Sequence, residues 1–318
     1  MNGRERVIKT ITFGGPDRIP TDLWILPAAI EKYGESLNEL TAKYDTDIVS
    51  LSGPYDLSFD KRHYEPGSFT DDWGSVWRNI QSGLVGEVKI PALEDDAMIR
   101  SYKAPVDGFT KSWKENLDLL IEKTADARRK GKFVIGGWVH PFERIQFLRG
   151  TENFYCDLAG DDQNVRMLTE IISEFYDSYL DGWLSLDVDA IAFADDWGSQ
   201  ISLLISKPMW IEIFKPLYSR LMERVRDAEK YVFFHSDGYI LDLYDQFIDL
   251  GVSAINSQIW CMGVENVAAK YAGKITFWGE ISRQDTLPAG TPEEVSACKR
   301  TMVDNLFVNG GGLIGQSE

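Results

Sequence analysis

The chain predicts an α/β fold of the (β/α)8 TIM-barrel type, one domain over 1–318, and three observations carry that expectation. Apolar, strand-like runs occur near 21–26, 47–52, 132–138, 189–194, 231–235, 253–257, 274–279 and 311–315. Helical patterns separate most of them, near 28–43, 111–130, 163–186, 208–229, 239–250, 264–272 and 292–308. Most runs end in a short polar or glycine-bearing string, and barrel enzymes gather their reactive side chains at the carboxyl ends of parallel strands. Eight alternations are the count of a barrel. A doubly wound open sheet alternates in the same way and stays as the alternative, which the count disfavours.

Taken in order, Glu5–Phe13 forms a short opening helix, closed by Gly14-Gly15-Pro16. Ile48–Leu51 ends in Ser52-Gly53-Pro54, after which 54–105 interrupts the alternation. Within it, Ser75–Ile80 and Leu84–Ile90 flank Gln81-Ser82-Gly83 as a β-hairpin. Because it follows strand two, this insertion is expected over the catalytic face as a lid or wall. Phe133–Ile135 ends in Gly136-Gly137-Trp138-Val139-His140, and an irregular stretch, Pro141–Gly160, follows with Arg144 and Arg149. Ile191–Phe193 ends in Asp195-Asp196-Trp197-Gly198-Ser199-Gln200, and Val232–Phe234 in His235-Ser236-Asp237-Gly238. Ala254-Ile255 ends in Asn256-Ser257-Gln258, and Ile275–Phe277 in Trp278-Gly279-Glu280. Ser206 before Lys207-Pro208 and Thr291 before Pro292-Glu293-Glu294 are helix-start signals. Little chain follows strand eight, so the flank of strands one and eight is expected to be exposed and to favour a partner or a homo-oligomer.

A net charge of −17 excludes nucleic acid and anionic membrane surfaces as main partners, since both require a basic face. The apolar fraction of 44% is ample for a buried core. Three cysteines, Cys156, Cys261 and Cys298, have neither metal nor redox spacing and fit a reduced compartment. The start Met1–Arg6 has no apolar signal region, and no apolar run approaches the ~20 residues of a membrane span, so a cytoplasmic protein is expected. No glycine-rich dinucleotide string, P-loop or GxSxG string occurs, which predicts no nucleotide cofactor and no serine hydrolase chemistry.

The strand-end strings hold the candidate chemistry. In extended backbone, residues i and i+2 project to one side, so His235 and Asp237 point together. Such a pair ligates a metal or forms an acid/base histidine beside a carboxylate, and Glu280 is placed to join it. Asp237 at a helix start also serves as a cap. Of Asp195 and Asp196, one faces the pocket and the other caps or turns the loop, because two adjacent buried carboxylates repel. Trp197 and Gln200 give that string the look of ligand recognition. Asn256 and Gln258 orient a substrate by hydrogen bonds. Trp138, His140 and Trp278 line the mouth, the two tryptophans as packing walls rather than a cofactor stack.

Asp17-Arg18-Ile19-Pro20, Asp195–Gln200, His235–Gly238, Phe277-Trp278-Gly279-Glu280-Ile281, Gly290–Val295 and Gly310-Gly311-Gly312 occur in this order. Together they resemble the uroporphyrinogen decarboxylase superfamily, which also contains the corrinoid-dependent methyltransferases, and the resemblance covers nearly the whole chain. It implies a TIM barrel. In the decarboxylases an arginine-rich segment after strand one and a pocket aspartate hold the octacarboxylate tetrapyrrole. Here that segment, Trp24–Ile30, has no arginine. The methyltransferases bind zinc through a His-x-Cys pair and a later cysteine. Here His235 matches the histidine and Asp237 stands at the first cysteine position, with Glu280 as the replacement ligand.

The resemblance therefore implies methyl transfer from a small methylated substrate to a corrinoid supplied by a partner protein. His235, Glu280, Asp195 and Asp196 are the catalytic candidates, and His235, Asp237 and Glu280 the zinc candidates. Decarboxylation of uroporphyrinogen, with Arg144 and Arg149 as replacement cations, is the alternative. A third reading is a barrel that binds a corrinoid or tetrapyrrole without turnover.

Overall fold

A computed structural model describes residues 1–160 and 163–317. Among the described residues there are eleven strands: β1 (Thr21–Leu23), β2 (Ile48–Leu51), β3 (Gly67–Thr70), β4 (Val76–Asn79), β5 (Glu87–Ile90), β6 (Phe133–Val139), β7 (Ala190–Ala194), β8 (Tyr231–Ser236), β9 (Ala254–Ser257), β10 (Thr276–Trp278) and β11 (Leu313–Ser317). Eight of them form one parallel sheet in the order β1-β11-β10-β9-β8-β7-β6-β2. The two ends of this order meet, making a nearly closed barrel and excluding the open doubly wound sheet. At the seam the Asp47 amide donates to the Thr21 carbonyl at 2.8 Å.

The strands are apolar on both faces because both faces are covered. Ile48, Phe133, Ile135, Ala190, Ala192, Phe233, Ala254 and Ile314 fill the barrel, and Val7 and Ile11 of the opening helix Gly3–Ile11 plug its amino end. Val134, Ile191, Phe193, Val232, Phe234, Ile255 and Phe277 point outward into the helical layer. Asp47 pins the seam at the amino end. Its carboxylate accepts from the Thr21 amide at 2.8 Å and Arg18 Nη1 at 2.7 Å, and also pairs with buried Arg6. Arg6 in turn holds Asp17 at 2.6 Å. The Asp17-Arg18-Ile19-Pro20 string thus clamps the barrel floor, away from any chemistry at the other end.

The 54–105 insertion holds a three-stranded antiparallel sheet, β3-β4-β5, where the sequence predicts a two-stranded hairpin. β3 escapes prediction because its four residues, Gly-Ser-Phe-Thr, are mostly exposed and carry no alternating apolar face. The sheet leans on the segment after β6: Ser75 Oγ donates to the Phe147 carbonyl at 3.1 Å, and the rings of Trp77 and Phe147 lie 4.9 Å apart. It therefore stands at the carboxyl end of the barrel.

Pro141–Gly160, expected to be irregular, is two helices, Pro141–Arg149 and Thr151–Gly160, broken at Gly150 with φ 80°. Helical periodicity is hidden there because Arg144 and Arg149 are as buried as Phe142, Ile145 and Leu148, so no polar face remains to mark a period. The expected open flank along β1 and β11 is narrower than predicted: Leu313 and Ile314 are buried, and Leu23, Gly315 and Ser317 half-buried. Among the described residues, no helix is long and apolar enough to cross a membrane.

Candidate active site

A cavity of about 840 Å³ opens at the carboxyl ends of β1, β2, β6 and β7, lined in part by Asp22, Trp24, Asp56, Trp138, His140 and Glu143. A bulge in β6 aims Trp138 at it. The register shifts between Gly136 and Trp138, and Gly137 takes φ 69° where a Cβ would meet Tyr179 Oη at 2.7 Å. Tyr179 Oη then accepts from the Trp138 amide at 2.7 Å and donates to Asp56 Oδ1 at 2.5 Å.

Beside the cavity, β8 and β9 run in a register that sets His235 against Asn256. His235 Nδ1 lies 2.7 Å from Asn256 Oδ1. The Asn256 amide nitrogen is occupied: it donates to the Trp278 carbonyl and, at 3.0 Å, to Gln316 Oε1. The Asn256 oxygen must therefore face His235, which makes Nδ1 the N–H donor and leaves Nε2 to face the opposite way. There Nε2 meets Asp196 Oδ1 at 3.7 Å and Asp237 Oδ1 at 3.8 Å. The Asp237 amide donates to Asp196 Oδ1 at 2.8 Å, locking the two strand-end strings together. Their glycines permit the approach: a Cβ on Gly238, at φ 80°, would sit 2.1 Å from the Gly198 carbonyl oxygen.

One ligand atom each from Asp196, His235 and Asp237 lies within 4.8 Å of the others, a spacing that fits one metal ion. Glu280, expected as the third ligand, is held instead by Arg283 Nε at 2.8 Å, and Asp196 takes the third position. Arg283 also pairs with Asp237.

Asp195 and Asp196 divide as the repulsion argument requires. Asp195 is wholly buried and caps the helix Pro141–Arg149, accepting from the amides of Phe142 at 3.2 Å and Glu143 at 2.9 Å and from the Tyr218 hydroxyl. Burial pushes its carboxyl up to about 8. It positions that helix and has no open oxygen to offer a substrate, which corrects its candidacy as a catalytic group. Trp197 is corrected too. Its ring is 0% exposed and packs against Phe142 at 4.0 Å and Phe214 at 4.9 Å in the helical layer, leaving no face for a ligand.

Gln200 Nε2 donates to Gln258 Oε1 at 2.5 Å, so these two tie the β7 and β9 loops together. Trp278 lies inside the barrel, 0% exposed, and its Nε1 donates to Asp22 Oδ2 at 3.0 Å. Burial pushes the His140 imidazole down to about 3, so it stays neutral in the cavity wall. Trp24 joins Trp138 at 5.6 Å, Trp278 at 5.0 Å and His235 at 5.4 Å as an aromatic wall.

Two cavity carboxyls went unrecognised in the sequence. Asp22 accepts from both Trp278 Nε1 and, at 3.1 Å, Trp24 Nε1, and burial raises its carboxyl to about 6. Its only sequence signal was a lone acid inside a strand run. Burial, with the carboxylates around it, raises the Glu143 carboxyl well above the usual range, which favours its protonated form. Nothing marks it in the sequence, because its helix is itself hidden.

These observations define a (β/α)8 barrel with a histidine–carboxylate centre at the carboxyl ends of its strands. Residues 86–314 match the family model of uroporphyrinogen decarboxylase (URO-D). The chain belongs to that family. Among solved structures it is similar to a methyltransferase from Methanosarcina mazei, at 15% identity and a TM-score of 0.68, covering 99% of this chain and 92% of that one. It is also similar to a glycosylated endo-beta-1,4-xylanase from Gloeophyllum trabeum, at 11% identity and a TM-score of 0.44 over 99% of this chain and 86% of that one. At 15% identity the likeness to the methyltransferase speaks to fold. No curated protein matches the chain.

Proposed function

We propose that this protein transfers a methyl group from a small methylated substrate, bound at the barrel mouth, to a corrinoid carried by a partner protein. The observation that carries the reading is the His235 centre. Asn256 fixes the imidazole so that Nε2 faces two carboxylate oxygens at 3.7 and 3.8 Å, too far for hydrogen bonds and spaced for a shared cation. The residues fit a zinc ion: one imidazole and two carboxylates are a harder set than thiolates but within zinc's range. Asp196, His235 and Asp237 would hold it, with Arg283 leaving Asp237. When bound, such an ion polarises the oxygen or nitrogen that carries the methyl group.

The chain's own groups account for the rest. Trp24 and Trp138 wall the donor and exclude water, and His140 stays neutral beside it. Transfer breaks the bond between the methyl carbon and its heteroatom, the electron pair remains on the heteroatom, and the methyl passes to the partner's corrinoid. Glu143, whose protonated form burial favours, supplies the proton that the leaving heteroatom takes up.

The charges favour this reading over decarboxylation. Among the described residues lining the cavity, Lys61 is the only Lys or Arg. Arg149 pairs with Asp157 at 2.8 Å, Arg18 with Asp47, and Arg283 with Glu280 and Asp237. Eight substrate carboxylates would lack counter-charges. Direct titration with uroporphyrinogen tests the choice. No saturable binding is expected. Micromolar binding would replace methyl transfer with decarboxylation, and binding without turnover of either kind would leave the non-catalytic barrel.

A further inference from the structure

A second cavity, of about 270 Å³, lies between the insertion and the barrel, walled by Tyr55, Phe59 and Trp73 and by His63, Asp56 and Arg144. Arg144 is its unusual feature. The side chain is 3% exposed, and its guanidinium lies over Trp73 at 4.7 Å and Phe147 at 5.5 Å. Its one carboxylate contact is long, Nη1 to Asp71 Oδ2 at 3.5 Å, and its buried Nε has no partner. Asp71 is not a dedicated counter-ion. It already accepts from the amides of Trp73 at 3.0 Å and Ser75 at 2.8 Å and from Trp77 Nε1 at 2.8 Å.

Of the other acids lining this cavity Asp72 is exposed, and Asp60 and Asp56 are engaged as well. Asp60 is gripped by Arg62, whose Nε lies 2.9 Å from Oδ2. Asp56 accepts from the Gly53 amide at 2.8 Å and from Tyr179 at 2.5 Å, and burial raises it to about 7, so it is half-neutral near physiological pH. His63 is buried, its Nδ1 has no partner, and burial pushes it down to about 4. The unused hydrogen-bonding capacity here therefore centres on the Arg144 guanidinium, with a neutral imidazole beside it. A buried cation with free donors calls for an anion. The nearby Asp60, Asp71 and Asp72 match it to a single negative charge rather than to a phosphate dianion. Aromatic walls and a volume at the small end for ligand pockets call for a compact, flat body.

We propose that this cavity is a binding site for a small monocarboxylate with an aromatic or short apolar body, its carboxylate taken by Arg144 and His63. The site is separate from the His235 centre and stands whether or not the protein transfers methyl groups. Calorimetric titration of the full-length protein with benzoate and with acetate tests it, with benzamide as the uncharged control. Saturable benzoate binding is expected, with benzamide about tenfold weaker or worse. Arg144→Met should cost at least tenfold in benzoate affinity. Ser112→Phe, at the cavity wall and outside the charged cluster, should block benzoate even if the arginine variant fails to fold. His235→Ala should leave benzoate affinity unchanged, which separates this site from the barrel mouth. The proposal is overturned by no saturable binding of either acid at about 10 mM, by equal binding of benzamide, by binding indifferent to Ser112→Phe, or by loss of binding in His235→Ala.

Discussion

The buried carboxyls make folding stability depend on pH in a direction opposite to that of most proteins. Burial raises Asp22 to about 6, Asp56 to about 7 and Asp195 to about 8. Each is protonated in the fold at pH values where the unfolded chain has already lost the proton, near 4. The folded state then binds more protons than the unfolded one, and stability falls as pH rises through the folded pKa. His63 and His140 work in the opposite sense. Burial pushes them down to about 4 and about 3, so their contribution is complete above the unfolded histidine value and is lost as pH falls below it. The two effects oppose each other below about pH 6.5. Above it only the carboxyls titrate. Between about pH 6.5 and 8, Asp56 and Asp195 together give a fall on the order of 2 kcal/mol, and the raised Glu143 carboxyl adds to it in the same direction. Urea unfolding at both pH values, at constant ionic strength and with a chelator present, measures it. Asp195→Asn should make the slope shallower. Stability that stays flat or rises across this window would refute the assignment of neutral carboxyls to the barrel.

The remaining predictions concern single side chains. Asn256→Leu removes the acceptor that fixes the His235 ring, and should weaken zinc binding about 10–100-fold in a competition titration; an unchanged affinity would show that Asn256 does not orient the imidazole. Arg283→Met frees Asp237 and should tighten zinc binding, so a weaker affinity would mean that Arg283 supports the centre rather than competing for it. Trp197→Ala should cost about 3–5 kcal/mol in urea unfolding by opening a cavity in the helical layer, with zinc affinity preserved. Asp47→Ala removes the acceptor of the Thr21 amide and one of the two carboxylates that hold buried Arg6, and should cost about 1–3 kcal/mol, a loss that a neutral effect in thermal unfolding would contradict.

The barrel was legible because its strands are buried on both faces and so stand out as apolar runs, each stopped by a polar string. The same regularity exposed His235, Asp237 and Asn256: at strand ends the alternation of side chains places i and i+2 together, and parallel register sets neighbouring ends side by side. Alternation fails once the chain turns. Asp195 therefore went to a helix cap and Trp197 to the outer layer, although both stand next to Asp196. Glu280 was placed correctly at a strand end, but its partner Arg283 follows from a loop conformation that spacing does not encode. Asp22 and Glu143 lay out of reach for a different reason. A lone acid gains its chemistry from burial, and burial belongs to the closed barrel rather than to any local string.

Methyl transfer at the His235 centre is decided by a single-turnover experiment. The zinc-loaded protein is mixed with a reduced corrinoid protein and a panel of methoxy and methylamine donors, and the corrinoid spectrum is followed through one turnover. Conversion to the methylated corrinoid is expected with at least one donor, lost in His235→Ala and slowed in Glu143→Gln. Silence across the panel with the intact protein, or conversion at the same rate in His235→Ala, would contradict it.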